Sequence, residues 1–401
     1  MSEINSPAIR FAGFTDAWEQ RKLVDIIDDY VERTTIQNQY PVLTSSQQWG
    51  IIFQEDYFAG RQATTVDNIG YFVLPRGYFT YRSRSDNNIF VFNRNDLINK
   101  GIISYFYPVF RLKDTDSDFF LQRVNNGIQR QITMSAEGTG QHVLSLKKFK
   151  NIESLFPTVD EQAQIGAVFN HLDGLITLHQ REHDKTVNIK KALLEKMFPK
   201  DGEDKPQIRF SGFTEAWKQR KLGELLTEVK RPIKLIDDEE YQLVTVKRRN
   251  EGVHPRGILK GKDILVKNYF EIREGDYLIS KRQVVHGANG IVPKRLDKAI
   301  VSNEYLVSTG NEAISVNFLA LLSRHPEMYR IFFLSSYGVD IEKLVFDVED
   351  WKKRSILVPL PDEQNKICAL FYTISDLITL HQCELTKLQN IKKALLEKMF
   401  V

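Results

Sequence analysis

LITLHQREHDKTVNIKKALLEKMF, residues 175–198, returns as LITLHQCELTKLQNIKKALLEKMF at 377–400, 202 positions later. A shorter stretch does the same: PAIRFAGFTDAWEQRKLVDII at 7–27 and PQIRFSGFTEAWKQRKLGELL at 206–226, 199 positions apart. Between the copies lie residues 28–155 and 227–356, which share no comparable similarity. Repetition on this scale sets the architecture before any local motif does. It describes a fixed frame that carries two different inserts.

The long repeat reads as helix. Ile367, Leu370, Ile374, Leu377, His381, Leu388, Ile391 and Leu395 advance by threes and fours with one step of seven, and Ile165, Val168, Leu172, Leu175, His179, Ile189 and Leu193 follow the same register. That spacing is a heptad seam. Thr158 and Glu161 form a capping-box pattern, Pro361 suits a first helical turn, and Pro199 ends the first helix before a KDGEDKP linker. A helix over 160–198 would be about 57 Å long and could not stand alone on one apolar stripe. Its nearest available partner is its own copy. The large insert between them predicts an antiparallel pair related by a pseudo-two-fold axis. His179 and His381 then read as polar seam residues that fix register. Phe11, Phe14, Trp18 and Leu23 recur as Phe210, Phe213, Trp217 and Leu222 and read as packing anchors, the N-terminal copy lying near the C-terminal helix.

At 401 residues the chain is too long for one compact core. It has no apolar run of membrane-spanning length, and MSEINSPAIRF lacks the pattern of a signal peptide. Cys368 and Cys383 sit in one predicted helix, too far apart to bridge, which points to a reducing, cytoplasmic setting. A net charge of +3 permits nucleic-acid binding without arguing for it.

The inserts alternate short β-rich runs with Gly, Asn and Asp turns and read as mixed α/β domains. Weak echoes link them: GYFTYRSR (77–84) with GDYLISKR (275–282), and SLKKFKNI (145–152) with DVEDWKKR (347–354), Phe149 matching Trp351. They therefore suggest one fold with two surfaces. The first insert favours arginine, including Arg61, Arg82, Arg84, Arg94 and Arg130, and carries the amides Asn87, Asn88 and Gln141. Arginine forks match phosphates and guanine edges, and amides match adenine edges. In the second insert the candidates are Lys247, Arg248, Arg249, Lys281, Arg282, Gln283, His286 and Asn289. For any one of them, a solvated or ion-paired surface role is the plainer reading.

Catalytic patterns fail on inspection. GILKGKD (257–263) is too short for a phosphate loop, DTDSD (114–118) lacks the Gly and Glu of a calcium loop, and Glu327 with Asp350 and Lys352 only loosely mimics a nuclease site. No metal site or catalytic group is expected.

The doubled RFxGFTxAWxQRKL segment, the doubled PxxDEQ helix start and the doubled LITLHQ…IKKALLEKMF helix resemble the specificity subunit of type I restriction–modification systems over essentially the whole chain. The resemblance implies an α+β chain with two target-recognition domains joined by two long antiparallel helices. By residue these are 1–155 and 206–356 for the recognition domains, 156–199 and 357–401 for the helical spacers, and 200–205 for the linker. Each insert would read one half of a bipartite double-stranded DNA target. The helices would set the gap and dock two methyltransferase subunits, with restriction/translocase subunits joining them. The chain itself would be non-catalytic and bind no cofactor; S-adenosylmethionine, ATP and Mg would belong to its partners. The helix-pair and subunit interface would draw on Ile165, Leu172, Leu175, His179, Ile189, Leu193, Ile367, Ile374, Leu377, His381, Leu388, Ile391 and Leu395. The competing readings are a coiled-coil assembly scaffold that never touches DNA and a single-chain DNA-modifying enzyme.

Overall fold

The computed structural model describes residues 6–58, 67–200, 202–265 and 268–400. The chain divides into two compact units, 1–181 with 382–401, and 182–381. Each long helix, Val159–Lys196 and Pro361–Met399, begins in one unit and ends in the other. Among the described residues no helix is long and apolar enough to cross a membrane.

The helix starts are built as expected, with one change. The Thr158 hydroxyl accepts from the Glu161 N–H at 3.4 Å, and Pro361 opens the second helix. The other half of the capping box does not form. The Glu161 carboxylate instead takes two hydrogen bonds from Arg10, at 2.8 and 2.6 Å, because a guanidinium fork satisfies both oxygens where one backbone N–H satisfies a single one.

The inward stripe follows a cleaner rule than the expected seam. In the second helix it runs Ile367, Phe371, Ile374, Ile378, His381, Leu385, Leu388, Lys392, Leu395 and Met399, in strict steps of four and three, all buried or half-buried. The first helix repeats it at Ile165, Phe169, Leu172, Ile176, His179, His183, Thr186, Lys190, Leu193 and Met197. Six residues expected on the seam lie off it: Leu377, Ile189 and Ile391 are 42, 44 and 40% exposed, and Leu370, Val168 and Leu175 are half-buried beside it. The expected register stepped onto neighbouring positions and so passed over Phe169, Phe371, Ile176, Ile378, Leu385 and the long-stemmed lysines, which bury their methylenes along the stripe.

Within each unit the two helical segments run in opposite directions. In the first unit Phe169 meets Phe400 and Lys392 pairs with Asp173. In the second, Lys190 donates to Ser375 and Phe198 lies near Phe371. The short repeat ties each unit together. In the first, Ile9 N–H bonds the Lys398 carbonyl at 3.0 Å while Arg10 holds Glu161. In the second, Ile208 N–H bonds the Lys196 carbonyl at 2.9 Å while Arg209 holds Glu363 at 2.7 Å. The neighbouring glutamines, Gln162 and Gln364, accept from the N–H of Asp116 and Ser315, the capping residues of the next helix in each insert. Trp18, Leu23, Trp217 and Leu222 are buried, as anchors should be, and strands Glu19–Lys22 and Lys218–Lys221 pair antiparallel with Glu153–Phe156 and Ser355–Val358.

The inserts share a topology. Each has a four-stranded sheet, in order Ile27–Tyr30, Val109–Leu112, Phe79–Tyr81, Phe92–Arg94 in the first and Leu226–Glu228, Tyr305–Gly310, Tyr277–Ser280, Asn289–Ile291 in the second. The second insert adds a five-stranded sheet: Pro232–Ile233, Tyr269–Glu271, Ile300–Ser302, Glu240–Lys247, Gly252–Lys260. In the first insert this sheet survives as the pairs Phe72–Pro75 with Lys100–Ile103 and Leu43–Ser46 with Gly50–Phe53. Single bridges, Arg33 to Phe72 and Val42 to Ile102, join these pieces in the same order. The Val42 bridge is parallel, as is the Leu243–Ile300 pairing it matches. Phe149 and Trp351 are both fully buried, so the echo in sequence marks equivalent core positions.

Glu161 is 1% exposed in its side chain. Removing its partner leaves a buried charge unpaired, which costs about 3–5 kcal/mol. Arg10→Ala should lower urea-measured stability by about that amount, whereas Arg10→Met with Glu161→Gln should lower it by less. Equal losses in the two variants would contradict this account of the clip.

Candidate nucleic-acid interface

In the first unit a cleft of about 1060 Å³ opens beside the hairpin Leu43–Phe53. Ser46 Oγ accepts from the N–H of Gln48 and of Trp49, both at 3.2 Å, and Gly50 takes the left-handed φ of 69° that closes the turn. Asn93 then fastens the hairpin to the four-stranded sheet through Ser45 Oγ at 2.7 Å and the Ser46 carbonyl at 2.9 Å. The result projects Trp49 into the cleft, 63% exposed.

Of the candidates in the first insert, Arg82, Arg84, Asn87 and Gln141 line this cleft. Arg82 and Arg84 are exposed, and Arg84 stacks 4.5 Å above the Phe106 ring. Asn87 Oδ1 accepts from Ser85 Oγ at 2.8 Å and Ile89 N–H at 3.2 Å, which shapes the loop and leaves its amide N–H₂ outward. Gln141 donates to Asp86 at 3.2 Å. Gln47, Gln48, Trp49, Tyr57 and Tyr105, which sequence reasoning passed over, also line it. The one hint was QQWG, an aromatic beside a turn glycine between two β runs. Aromatic faces with arginine forks are what a groove needs to take both bases and phosphates.

The other candidates are not in the cleft. Arg94 is corrected: it bonds Asp96 at 2.8 Å and Asp118 at 2.7 Å and is mostly buried, so its charge is already spoken for inside the fold. Asn88 is a half-buried turn residue with φ 58°, and Arg130 is exposed on helix Gln129–Ser135. Arg61 lies outside the described residues.

In the second unit the basic candidates gather around acids. Arg248 bonds Glu342 at 2.7 Å, and His286 Nε2 lies 3.4 Å from the same carboxylate, too poorly aimed for a hydrogen bond. Arg282 meets Glu304 at 3.0 Å, Lys281 donates to the Asn303 carbonyl at 2.8 Å, and Lys247 is 3.9 Å from Glu251. Arg249 is exposed with φ 59°. Gln283 is half-buried, its Oε1 without a hydrogen bond. Exposed pairs of this kind contribute about 0–1 kcal/mol, so a phosphate could displace the acid partner at little cost. Asn289 is corrected: it is 2% exposed, accepts from Tyr277 Oη at 3.0 Å and donates to Asn250 at 3.1 Å, and so works inside the core.

The loose nuclease resemblance resolves into structure. Asp350 pairs with Arg354 at 2.9 Å, and Lys352 with Glu228 at 3.0 Å and Glu349 at 2.9 Å. Hydrogen bonding from Ser335 and Arg354 holds the Asp350 carboxyl below its usual range.

No protein-family model matches the chain, and no curated protein matches it in sequence. Solved structures do match. The type I restriction–modification S subunit from M. genitalium superposes with a TM-score of 0.53 at 13% identity, covering 99% of each chain. The HsdS subunit from Thermoanaerobacter tengcongensis gives 0.45 at 16% identity over 96% of this chain and 97% of its own. A chain from a structure of type I R-M complex assembly and conformational transition gives 0.45 at 15%, over 96% and 98%. On the strength of the first, the chain has the fold of a type I restriction–modification S subunit, with mixed α and β structure around long helices.

Three of the four tryptophans, Trp18, Trp217 and Trp351, are at most 3% exposed. Acrylamide should therefore quench one emitting class only, and Trp49→Phe should abolish the accessible fraction. Persistent quenching in that variant would place another tryptophan at the surface.

Proposed function

We propose that this chain is the DNA-recognition subunit of a type I restriction–modification complex. The observation that carries the reading is the shared topology of two inserts with unlike surfaces, set on duplicated helices in a fold matching an S subunit along 99% of its length. One scaffold used twice with different side chains is what reading two different half-sites requires. Residues 1–155 and 206–356 act as the two readers. The helical segments 156–199 and 357–401 act as an antiparallel spacer, joined through the 200–205 linker, and set the unread gap between half-sites. Readers held about 34–36 Å apart, or a multiple of that, face one side of a duplex. Each reader alone binds weakly, and the stiff connection makes the second contact effectively intramolecular.

The outward apolar residues of the long helices support a docking role. Leu178, Ile189, Leu377, Leu380 and Ile391 are 40–55% exposed, a pattern expected where a partner covers the helix. Two methyltransferase subunits fill that role, with restriction/translocase subunits beyond them. The chain contributes no catalytic group and no cofactor; S-adenosylmethionine, ATP and Mg act on the partners.

Exchanging residues 28–155 for another insert should change one half of the methylated sequence and leave the other intact, as read by methylome sequencing; a change in both halves would sink the proposal. In the complex with methyltransferase, Arg84→Ala should weaken duplex binding by about 1 kcal/mol or more and reduce the salt slope by about one, while Arg94→Ala should lower the melting temperature and leave that slope alone. Fluorescence anisotropy across a salt series reads both.

A further inference from the structure

The two units treat one helix contact differently. In the first, Lys392 Nζ lies 2.6 Å from Asp173 Oδ1, and Gln122 donates to Oδ2 of the same carboxylate at 3.1 Å. In the second, the register of the repeat puts Lys190 where Lys392 stands and Ser375 where Asp173 stands. Lys190 Nζ therefore donates to a hydroxyl, Ser375 Oγ, at 2.7 Å. Beside it opens a cavity of about 210 Å³, and Arg324 lines the same space. Arg324 donates to the Asn250 carbonyl at 3.2 Å. Neither cation has an ion-pair partner among the described residues. Glu251, the one carboxylate on the lining, is half exposed and turned toward Lys247 at 3.9 Å.

Arg324 is exposed, whereas Lys190 is half-buried with no counter-charge on it, and the cost falls on Lys190. Burial, then the positive charge of Arg324, draws its ammonium below the usual lysine value. The space has room for several waters, and polar groups of Asn317 and Tyr372 share it with the Cys368 thiol. An oxyanion would meet an arginine fork and an ammonium at once, the pairing that charge-assisted hydrogen bonds favour most.

We propose that this cavity binds a small oxyanion of the phosphate class, held by Lys190 and Arg324, in the place where the first unit carries its own carboxylate. The ligand is free phosphate or the phosphate of a mononucleotide. The site adjoins the 247–249 turn of the second insert, but its chemistry does not depend on the function proposed above.

Ser375→Asp tests it, because it rebuilds the carboxylate of the first unit and should fill the site from within. Sodium phosphate is titrated calorimetrically into the full-length chain at constant ionic strength in chloride, with AMP in a parallel arm. One site per chain is expected, weakened at least tenfold in Ser375→Asp and in Lys190→Met. Ser375→Asp should also be at least as heat-stable as the native chain in phosphate-free buffer. Tighter binding of AMP identifies a nucleotide as the source, and tighter binding of phosphate identifies the free ion. If Ser375→Asp folds poorly, Lys190→Met decides alone, since methionine keeps the helix and the length of the stem. No heat with either titrant, or binding undiminished in Lys190→Met, would overturn the proposal.

Discussion

Everything in this fold hangs on an arginine clamped to a buried glutamate. Arg10 on Glu161, and Arg209 on Glu363, join the short repeat to the start of a long helix, with each glutamate side chain only 1% exposed. The residue just before each arginine bonds the end of the other long helix. One short segment thus secures a helix start and a helix end together. A buried ion pair is weak as a source of net stability but severe when half of it is missing, so it acts as a constraint on arrangement. The adjacent glutamine extends that constraint to the insert by holding the capping residue of its next helix. The DEQ triplet is therefore the joint between frame and insert.

On that joint the chain mounts two domains that agree in strand order and disagree in surface. The equivalence reaches single bonds: Ser83 N–H to the Phe106 carbonyl in one, Lys281 N–H to the Glu304 carbonyl in the other, both 2.9 Å. The neighbouring arginines then diverge. Arg84 stacks on Phe106, whereas Arg282 pairs with Glu304. The first unit thereby presents an aromatic cleft and the second a set of exchangeable ion pairs. Core positions such as Phe149 and Trp351 must conserve volume and burial to keep the topology, while exposed positions beside them are free to differ.

Much of the frame was legible in the residues themselves. Duplication of a segment this long can be read without knowing any contact, and Pro and Thr at the helix starts obey local backbone rules. The stripe register was not fully legible. Phe169, Phe371, Leu385 and Lys190 belong to it, but a count that takes the step of three before the step of four settles on Ile189, Leu377 and Ile391, which face outward. Candidate binding residues were harder still. Arg94 and Asn289 look the same in sequence as Arg84 and Asn87. Only their surroundings, two aspartates in one case and Tyr277 with Asn250 in the other, remove them from the surface.

By itself the sequence determined that the protein is a doubled helical frame with two unlike inserts, because hydrophobic period, capping and repetition are local properties written in order along the chain. Tertiary structure gave the strand order the inserts share, which their sequence echoes only suggested, and alone decided which charges are paired and that Ser375 leaves Lys190 without the acid that Asp173 supplies to Lys392. These are facts about residues far apart in sequence, and pairing, burial and desolvation exist only once the chain has brought such residues within a few ångströms of each other.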